Sequence, residues 1–324
     1  MSVAEVTPGG SIAEVAVGQV SSPLTGRRGS RLSDIREAYR AAANDTSSTR
    51  YLALTSLMLV TVLALGFCVD LTMISPLEYR VAQTRAFDRL RNELAHGVAP
   101  VGEVDRKGHL LPMGAPVALL TIPRLHMKVV VLEGTDPEVL TGGPGHLRDT
   151  VLPGQAGTSV VFGRAAAFGG PFRRIHDLRP GDAVIVTTGS GTSTYSVVDR
   201  RTAGDALPAM AQGGARLTLV TATGPAFLPS GVLRVDADLR GTAIGASPIA
   251  VTSVPHSQVP LGTDTATLWV FAFILEALIL VSVGAVVAWQ RWGRAQTWIV
   301  FFPVTVLLGY YATDQLVRLL PNLT

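Results

Sequence analysis

Few side chains of this protein could carry out nucleophilic or metal chemistry. The 324 residues include one cysteine, Cys68, which excludes an internal disulfide and a cysteine-rich zinc site. Cys68 lies in a long apolar stretch, where a thiol is poorly placed to react with a polar substrate. Among the six histidines, His96, His109, His126 and His256 have no spacing typical of metal ligands. We therefore expect no metal and no cofactor.

The overall composition indicates a membrane protein. Hydrophobic residues make up 48% of the chain and the mean hydropathy is +0.36. Charged residues make up 16%, below the roughly 25% of soluble domains, and this combination excludes a disordered chain. The 27 basic and 24 acidic residues leave a net charge of +3, which is too small to indicate a nucleic-acid partner.

Three apolar segments are long enough to cross a bilayer as helices, since a helix rises about 1.5 Å per residue and the hydrocarbon core is about 30 Å thick. They cover residues 51–74, 267–289 and 297–316. The first segment follows a polar stretch and has no small-residue cleavage site behind it, so we expect a signal anchor that stays attached. The other two form a predicted helical hairpin.

Arginines predict the orientation of the hairpin. Arg291 and Arg294 lie in the loop 290–296, whereas the stretch 241–266 has no arginine, and basic residues favour the cytoplasmic side of a membrane. We expect a multi-pass protein of the plasma membrane with a cytoplasmic N-terminus. The predicted order is a disordered cytoplasmic tail with a short juxtamembrane helix (1–50), transmembrane helix 1 (51–74), an extracellular linker helix (75–115), an extracellular β-barrel (116–240), a tether (241–266), transmembrane helix 2 (267–289), a cytoplasmic loop (290–296), transmembrane helix 3 (297–316) and an extracellular C-terminus (317–324).

Glu276 is the most costly ionisable residue of the predicted spans. It lies near the middle of the second span, where a carboxylate costs several kcal/mol unless it is protonated or paired. Two interpretations stay open. Glu276 is either a neutral side chain bonded to Ser282 or Thr305 inside a three-helix bundle, or the contact point for another membrane subunit. The second interpretation makes Glu276 a candidate intramembrane contact.

Short runs of Val, Ile, Leu and Thr alternate with Gly, Pro and Asp turn signals between residues 116 and 240. Such runs predict strands, and many short strands with little helix favour a closed antiparallel barrel. A helix over 77–95 is predicted to precede them. The fold class is therefore mainly β, an antiparallel β-barrel ectodomain with three transmembrane α-helices. The predicted strands cover residues 117–122, 129–132, 158–162, 183–188, 194–198, 217–221 and 232–239.

Several short motifs with turn-specific glycines and prolines follow one another in this region. They include Leu120-Thr-Ile-Pro-Arg124, Gly143-Pro-Gly-His146, Val160-Val-Phe-Gly163, Leu178-Arg-Pro-Gly-Asp182, Leu217-Thr-Leu-Val-Thr221 and Leu233-Arg-Val-Asp-Ala-Asp-Leu239. In type and order they resemble the sortase family, in particular its actinobacterial class E-like members. The resemblance implies a sortase-like β-barrel that acts at the cell wall.

Sortases are membrane-anchored cysteine transpeptidases that cleave a sorting motif of a surface protein and transfer the acyl product to an amine. The resemblance implies a catalytic Cys, His and Arg. In this sequence the Cys position is Ala222 and the His position is Arg164, whereas Arg234 matches the Arg. A methyl group forms no thioester, and a guanidinium does not exchange protons near neutral pH. We therefore expect no catalytic residue, and the resemblance is to a degenerate sortase, a pseudoenzyme.

The expected function is binding rather than catalysis. If Arg164 and Arg234 lie near each other, two fixed positive charges suit the carboxylate or carbonyl oxygens of a substrate or partner. The alternative is that Arg164 points to solvent or pairs with a carboxylate. Besides the lipid bilayer, we expect a cell-surface protein or a membrane protein as partner, and no nucleic acid.

Two further functions stay open. An active transpeptidase or hydrolase would use Thr221 or Thr223 as nucleophile with His146 or His176 as base. An accessory subunit of a membrane complex would act through its transmembrane hairpin. The sequence Leu-Pro-Asn-Leu-Thr at 320–324 superficially resembles a sorting motif, but no apolar span and basic tail follow it, and we expect it to be incidental.

Overall fold

The computed structural model describes residues 64–105, 107–249, 251–263 and 267–324, together with residues 57, 60 and 61. The predicted tail and juxtamembrane helix (1–50) lie outside these residues, as does most of the stretch 51–63. The described part of the first predicted span is helical and ends in a π-helical turn, Asp70–Ile74.

Helix α1, Ser75–Ala95, continues from this turn and packs against the barrel. It ends before Gly97, whose φ of 64° is readily adopted by glycine. Leu90 is buried against Val130. The amide of Gln83 fixes the helix to the same residue, because its Oε1 accepts the N–H of Val130 at 2.8 Å and its Nε2 donates to the carbonyl oxygen at 3.1 Å. The helix predicted over 77–95 falls within α1.

Eight strands form a closed barrel in the order β1-β2-β3-β4-β7-β8-β6-β5. A short helix, α2, separates β2 from β3. The element bounds are β1 Pro116–Ile122, β2 Met127–Glu133, α2 Val139–Gly142, β3 Gly145–His146, β4 Gly157–Phe162, β5 Ala183–Thr188, β6 Gly191–Arg201, β7 Ala215–Thr223 and β8 Gly231–Leu239.

The barrel differs from the prediction in two respects. The prediction of an entirely antiparallel barrel is wrong, because β2 pairs with β3, and β4 with β7, in parallel. Long connections allow this, since parallel neighbours need a crossover. Strand β3 is missing from the predicted strands because two residues, Gly145 and His146, show no alternating pattern.

The barrel interior is an apolar core made by alternate residues of the strands. Full burial of one such aliphatic side chain stabilises the fold by about 1.5–3 kcal/mol, so the barrel is a firm support for side chains on its outer face. The core includes Val117, Leu120, Val131, Val161, Val184, Tyr195, Leu217, Leu219, Leu233, Val235 and Ala237.

Two long helices follow the barrel and pack against each other as the predicted hairpin, α3 Thr267–Trp292 and α4 Arg294–Arg318. Within the described residues these two helices, rather than three, are long and apolar enough to cross a membrane. Gly293 alone separates them, with a φ of 93°. The predicted loop 290–296 is therefore too long, because its remaining residues are compatible with a helix.

Candidate functional site

The predicted site residues lie on the outer face of β4, β7 and β8. Side chains alternate across a strand, so Leu219 and Val235 point into the barrel core. Val220, Ala222 and Val232 instead belong to an apolar cluster on the opposite face. A small apolar surface thus forms on the outer face of the sheet.

Ala222 lies near the end of β7 with an arginine position on each side. Strand β8 places Arg234 opposite Val220 on this face, which makes it a diagonal neighbour of Ala222 at a separation of about 7 Å. On the other side, Gly163 extends β4 by donating its N–H to the carbonyl oxygen of Val220 at 2.9 Å. Arg164 follows Gly163, so the three predicted positions meet at one end of one face.

The side chain of Arg164 is fully buried and bonded to main-chain oxygens. Its Nη2 donates to the carbonyl oxygen of Pro137 at 2.9 Å, its Nε to that of Leu140 at 3.3 Å and its Nη1 to that of Thr324 at 3.4 Å. The ring of Phe168 lies 5.0 Å from the guanidinium carbon, a cation–π distance. Arg164 therefore does not point to solvent, and it pairs with no Asp or Glu side chain of the described residues.

Burial and a second cation lower the pKa of Arg164. Removal from water, with a smaller contribution from Arg318 of α4, lowers the pKa of Arg164 to about 9. The guanidinium still carries its proton at neutral pH, so it holds oxygens and does not transfer protons. The neighbouring cation that lowers the pKa of Arg164 is thus Arg318. Arg234 lies on the far side of Ala222.

Arg234 is half-buried on β8, and its side chain makes no hydrogen bond or ion pair with any residue that the structure describes. Its cross-strand neighbour Arg201 is engaged, since Nε and Nη2 of that side chain both bond the carboxylate of Asp236. The guanidinium of Arg234 is therefore available to a ligand on this face.

His146 has a structural role inside the barrel and does not lie on the outer face that carries Ala222. It is fully buried, with Nδ1 3.1 Å from Oε2 of Glu133 and Nε2 3.0 Å from the carbonyl oxygen of Val151. Arg148 donates its Nε to the other oxygen of Glu133 at 3.3 Å. Both ring nitrogens are occupied, so His146 has no free nitrogen to act as a base.

The threonines beside Ala222 have no histidine partner in the described residues. Thr221 is buried and donates its hydroxyl to the carbonyl oxygen of Gly163 at 2.8 Å, while Thr223 is half-buried. His176 is exposed and lies 3.3 Å from a carboxylate oxygen of Asp177. Across the described ranges, no group of three or more His, Cys, Asp or Glu side chains is arranged to hold a metal ion.

Sequence reasoning missed the residues that cover the site. Asn322, Leu323 and Thr324 are 0–2% exposed, and the N–H of Ala165 donates to the carbonyl oxygen of Leu323 at 2.8 Å. The segment 320–324 therefore lies against the predicted site, a position that the sequence did not predict. Its resemblance to a sorting motif was the one available signal.

Glu276 lies on the exposed surface of α3. In the described residues it bonds neither Ser282 nor Thr305, and the hydroxyl of Ser282 donates instead to the carbonyl oxygen of Leu278 at 2.7 Å. The bond to Ser282 or Thr305 is therefore not seen among the described residues, whereas most of the first predicted span lies outside them.

Comparison with known proteins assigns the barrel. A family model described as the sortase domain matches residues 120–232. The chain is 31% identical to a sortase E variant from Streptomyces avermitilis, and the alignment covers 46% of this chain and 100% of that one with a TM-score of 0.35. The chain belongs to the sortase family. The predicted resemblance to the sortase family is thereby confirmed.

Other sortases match shorter stretches of the chain. Sortase D of Bacillus subtilis (strain 168) is 32% identical over 85 residues, which are 26% of this chain and 41% of the relative. Sortase C-1 of Actinomyces oris is 30% identical with a TM-score of 0.34, over 39% of this chain and 76% of that one. This sortase-family chain thus spans less than half of the curated relative, and its activity and partners have to be argued from its own residues.

Proposed function

We propose that this chain is a catalytically inactive member of the sortase family, held in a membrane, that binds and positions a cell-surface protein or a membrane partner. The observation that carries the proposal is Ala222, which has a methyl group at the end of β7 where the family motif has its thiol. Without a nucleophile there, no acyl intermediate of the family type forms.

No other group supplies the missing chemistry. Cys68, the one thiol of the sequence, precedes α1 and belongs to no strand of the barrel. Arg164 stays protonated at neutral pH and donates its N–H groups to carbonyl oxygens. Because the members of a catalytic constellation act as a unit, loss of two of them removes many orders of magnitude in rate.

The retained features suit binding. The face around Ala222 is apolar, and Arg234 beside it has a free guanidinium that favours carboxylate or carbonyl oxygens. The two apolar helices α3 and α4 favour attachment to a membrane. We propose that the barrel lies outside the cell, with a cytoplasmic N-terminus and the turn at Gly293 on the cytoplasmic side.

A transpeptidation assay tests the loss of activity. The purified full chain is incubated with a labelled peptide containing Leu-Pro-Asn-Leu-Thr-Gly and an excess of an amine acceptor, and the products are separated by mass. We expect cleavage and transfer at the level of buffer alone. Product that disappears with Thr223→Ala would contradict the proposal and support an active enzyme with an unusual nucleophile.

A second function is favoured by the position of Glu276. An exposed carboxylate near the middle of an apolar helix is costly in lipid, and a partner helix with a hydrogen-bond donor would remove that cost. This would make the chain an accessory subunit that acts through its hairpin. Affinity purification from native membranes should return a stoichiometric partner that is lost with Glu276→Leu and kept with the matched control Leu280→Ala. Retention of the partner by both variants would contradict the contact.

A further inference from the structure

The outer face around Ala222 is deepened into a groove by parts of the chain outside the sheet. We call this the groove and define it by Phe162, Val220 and Ala222 on the sheet, by residues 137–140 on one side and by residues 256–262 above. The segment 137–140 supplies Leu140, which packs with Phe162 and Val220, and residues 256–262 add Leu261. The groove is apolar at its floor and lined by carbonyl oxygens at its rim.

The segment that fills the groove follows α4 directly. We call residues 320–324 the latch. The strands of the barrel are paired among themselves around the closed sheet, so the latch adds no strand. It is held as a peptide ligand is held, by scattered main-chain bonds and by side chains in pockets.

Three main-chain groups of the latch bond residues 164, 165 and 262. The N–H of Asn322 donates to the carbonyl oxygen of Gly262 at 3.0 Å, and the carbonyl oxygen of Leu323 accepts the N–H of Ala165 at 2.8 Å. The carbonyl oxygen of Thr324 accepts from Nη1 of Arg164 at 3.4 Å. The N–H of Thr324 donates to the carbonyl oxygen of Pro321 at 3.0 Å, so the latch makes a turn over residues 321–324. Since the contacts with the groove use the main chain, they fit a peptide that makes the same turn.

Two side chains of the latch give the contact its specificity. Leu323 is 0% exposed and packs in one cluster with Leu140, Phe162 and Val220. Asn322 is also 0% exposed, and its side-chain nitrogen donates to carbonyl oxygens of Ser257 at 3.0 Å, Val259 at 2.8 Å and Thr135 at 3.3 Å. A leucine preceded by an asparagine is thus what the groove recognises.

Arg164, which stands at the position of the family's histidine, therefore forms one side of the contact between the groove and the latch. Arg164 ties the segment 137–140 to the latch, because it donates to carbonyl oxygens of both. A histidine ring has two nitrogens and could not make three such bonds. The substitution at 164 and the presence of the latch are thus physically consistent with each other.

We propose that the groove is a peptide-binding site whose resident occupant is the latch of the same chain, and that the latch excludes other peptides until it leaves. Release exposes the apolar floor and frees Arg164 to hold the carbonyl oxygen of an incoming peptide with the Asn-Leu pattern. Because Leu319 alone lies between α4 and the latch, displacement of the hairpin would withdraw it. This inference rests on the binding role proposed above.

Peptide binding to the full chain in detergent micelles tests the proposal. The probe is a fluorescein-labelled, amidated peptide with the sequence of residues 319–324, and binding is followed by fluorescence anisotropy. Leu323→Asp places a carboxylate in the apolar pocket and should release the latch. Leu228 is 72% exposed, so Leu228→Asp is the matched control.

We expect Leu323→Asp to bind the probe at least tenfold more tightly than the unmodified chain or Leu228→Asp. A probe with aspartate in place of the leucine that corresponds to Leu323 should lose this binding. The proposal is overturned if Leu323→Asp and the control bind the probe equally, or if neither binds it. Cleavage of the probe would refute the non-catalytic function and leave the latch intact, so the two failures are distinguishable.

A second measurement covers the case in which Leu323→Asp misfolds. In a Cys68→Ser background, the thiol introduced by Leu323→Cys should resist a water-soluble maleimide, and saturating unlabelled probe should accelerate its modification. The thiol introduced by Leu228→Cys should react at once, with or without probe. Equal and rapid modification at both positions would show that the groove is not occupied and overturn the proposal.

Discussion

Truncation of one buried side chain should open the latch without disturbing the barrel. Leu323→Ala removes the isobutyl group that packs with Leu140, Phe162 and Val220 but keeps the carbonyl oxygen that accepts the N–H of Ala165. Leucine-to-alanine changes in buried sites cost about 2–5 kcal/mol. We take the lower end, about 2 kcal/mol, because the emptied pocket lies at the surface of the barrel. This corresponds to a roughly 30-fold larger open population.

Hydrogen exchange measures that population at one amide. The N–H of Ala165 is protected by the latch, whereas the N–H of Gly163 is protected by Val220 within the barrel. Exchange of a protected amide reports the free energy of the opening that exposes it. We expect Leu323→Ala to accelerate exchange at Ala165 roughly 30-fold and to leave Gly163 unchanged.

Two results would refute this reasoning. Unchanged exchange at Ala165 would mean that the latch does not protect it in solution. Equal acceleration at Ala165 and Gly163 would mean that the substitution loosens the barrel itself, so that Leu323 would belong to the fold rather than to a separable ligand.

Three further outcomes are expected. The pKa of Arg164 is about 9 in the folded chain, so above this pH the unfolded chain holds more protons than the folded chain. The free energy of unfolding, relative to that of Arg164→Met, should therefore rise from about pH 9 to about pH 11 in denaturant titrations. A fall in this difference would contradict the burial of the Arg164 guanidinium. Glu133→Gln leaves His146 and Arg148 without their carboxylate and should cost about 3–5 kcal/mol by urea unfolding, whereas a neutral change would remove the structural role of this cluster. Thr223→Ala, added to Leu323→Asp, should change the affinity for the probe by less than twofold. A large loss of affinity would show that Thr223 contacts the bound peptide.

Local patterns predicted the elements of the barrel but not how all of them pair. The runs at 117–122, 183–188 and 217–221 alternate or are continuously apolar, and each falls within an observed strand. Strands β4 and β7 pair in parallel although β5 and β6 lie between them in the chain, and a local pattern does not show which distant strands pair. The helix boundary at Gly293 is likewise set by one backbone conformation, whereas the charge of its neighbours suggested a longer loop.

The candidate site was predictable in its positions and not in its contacts. Motif order placed Arg164, Ala222 and Arg234 at the ends of strands, and the structure brings them to one face. The burial of Arg164 could not be foreseen, because its partners are main-chain oxygens of residues far away in sequence. The role of residues 320–324 was missed for the same reason, since a short segment without periodicity gives no sign of what it packs against.

We propose that the methyl group of Ala222 leaves this sortase-family chain without a nucleophile. The most direct test uses Leu323→Asp, in which the latch does not block the groove, so that inactivity cannot be ascribed to occupancy. The full chain is incubated with the labelled peptide and its intact mass is recorded, with an active sortase as control for the reagents. We expect an unchanged mass and no transfer product. A mass increase equal to the acyl fragment, mapped to any side chain of the groove, would contradict it.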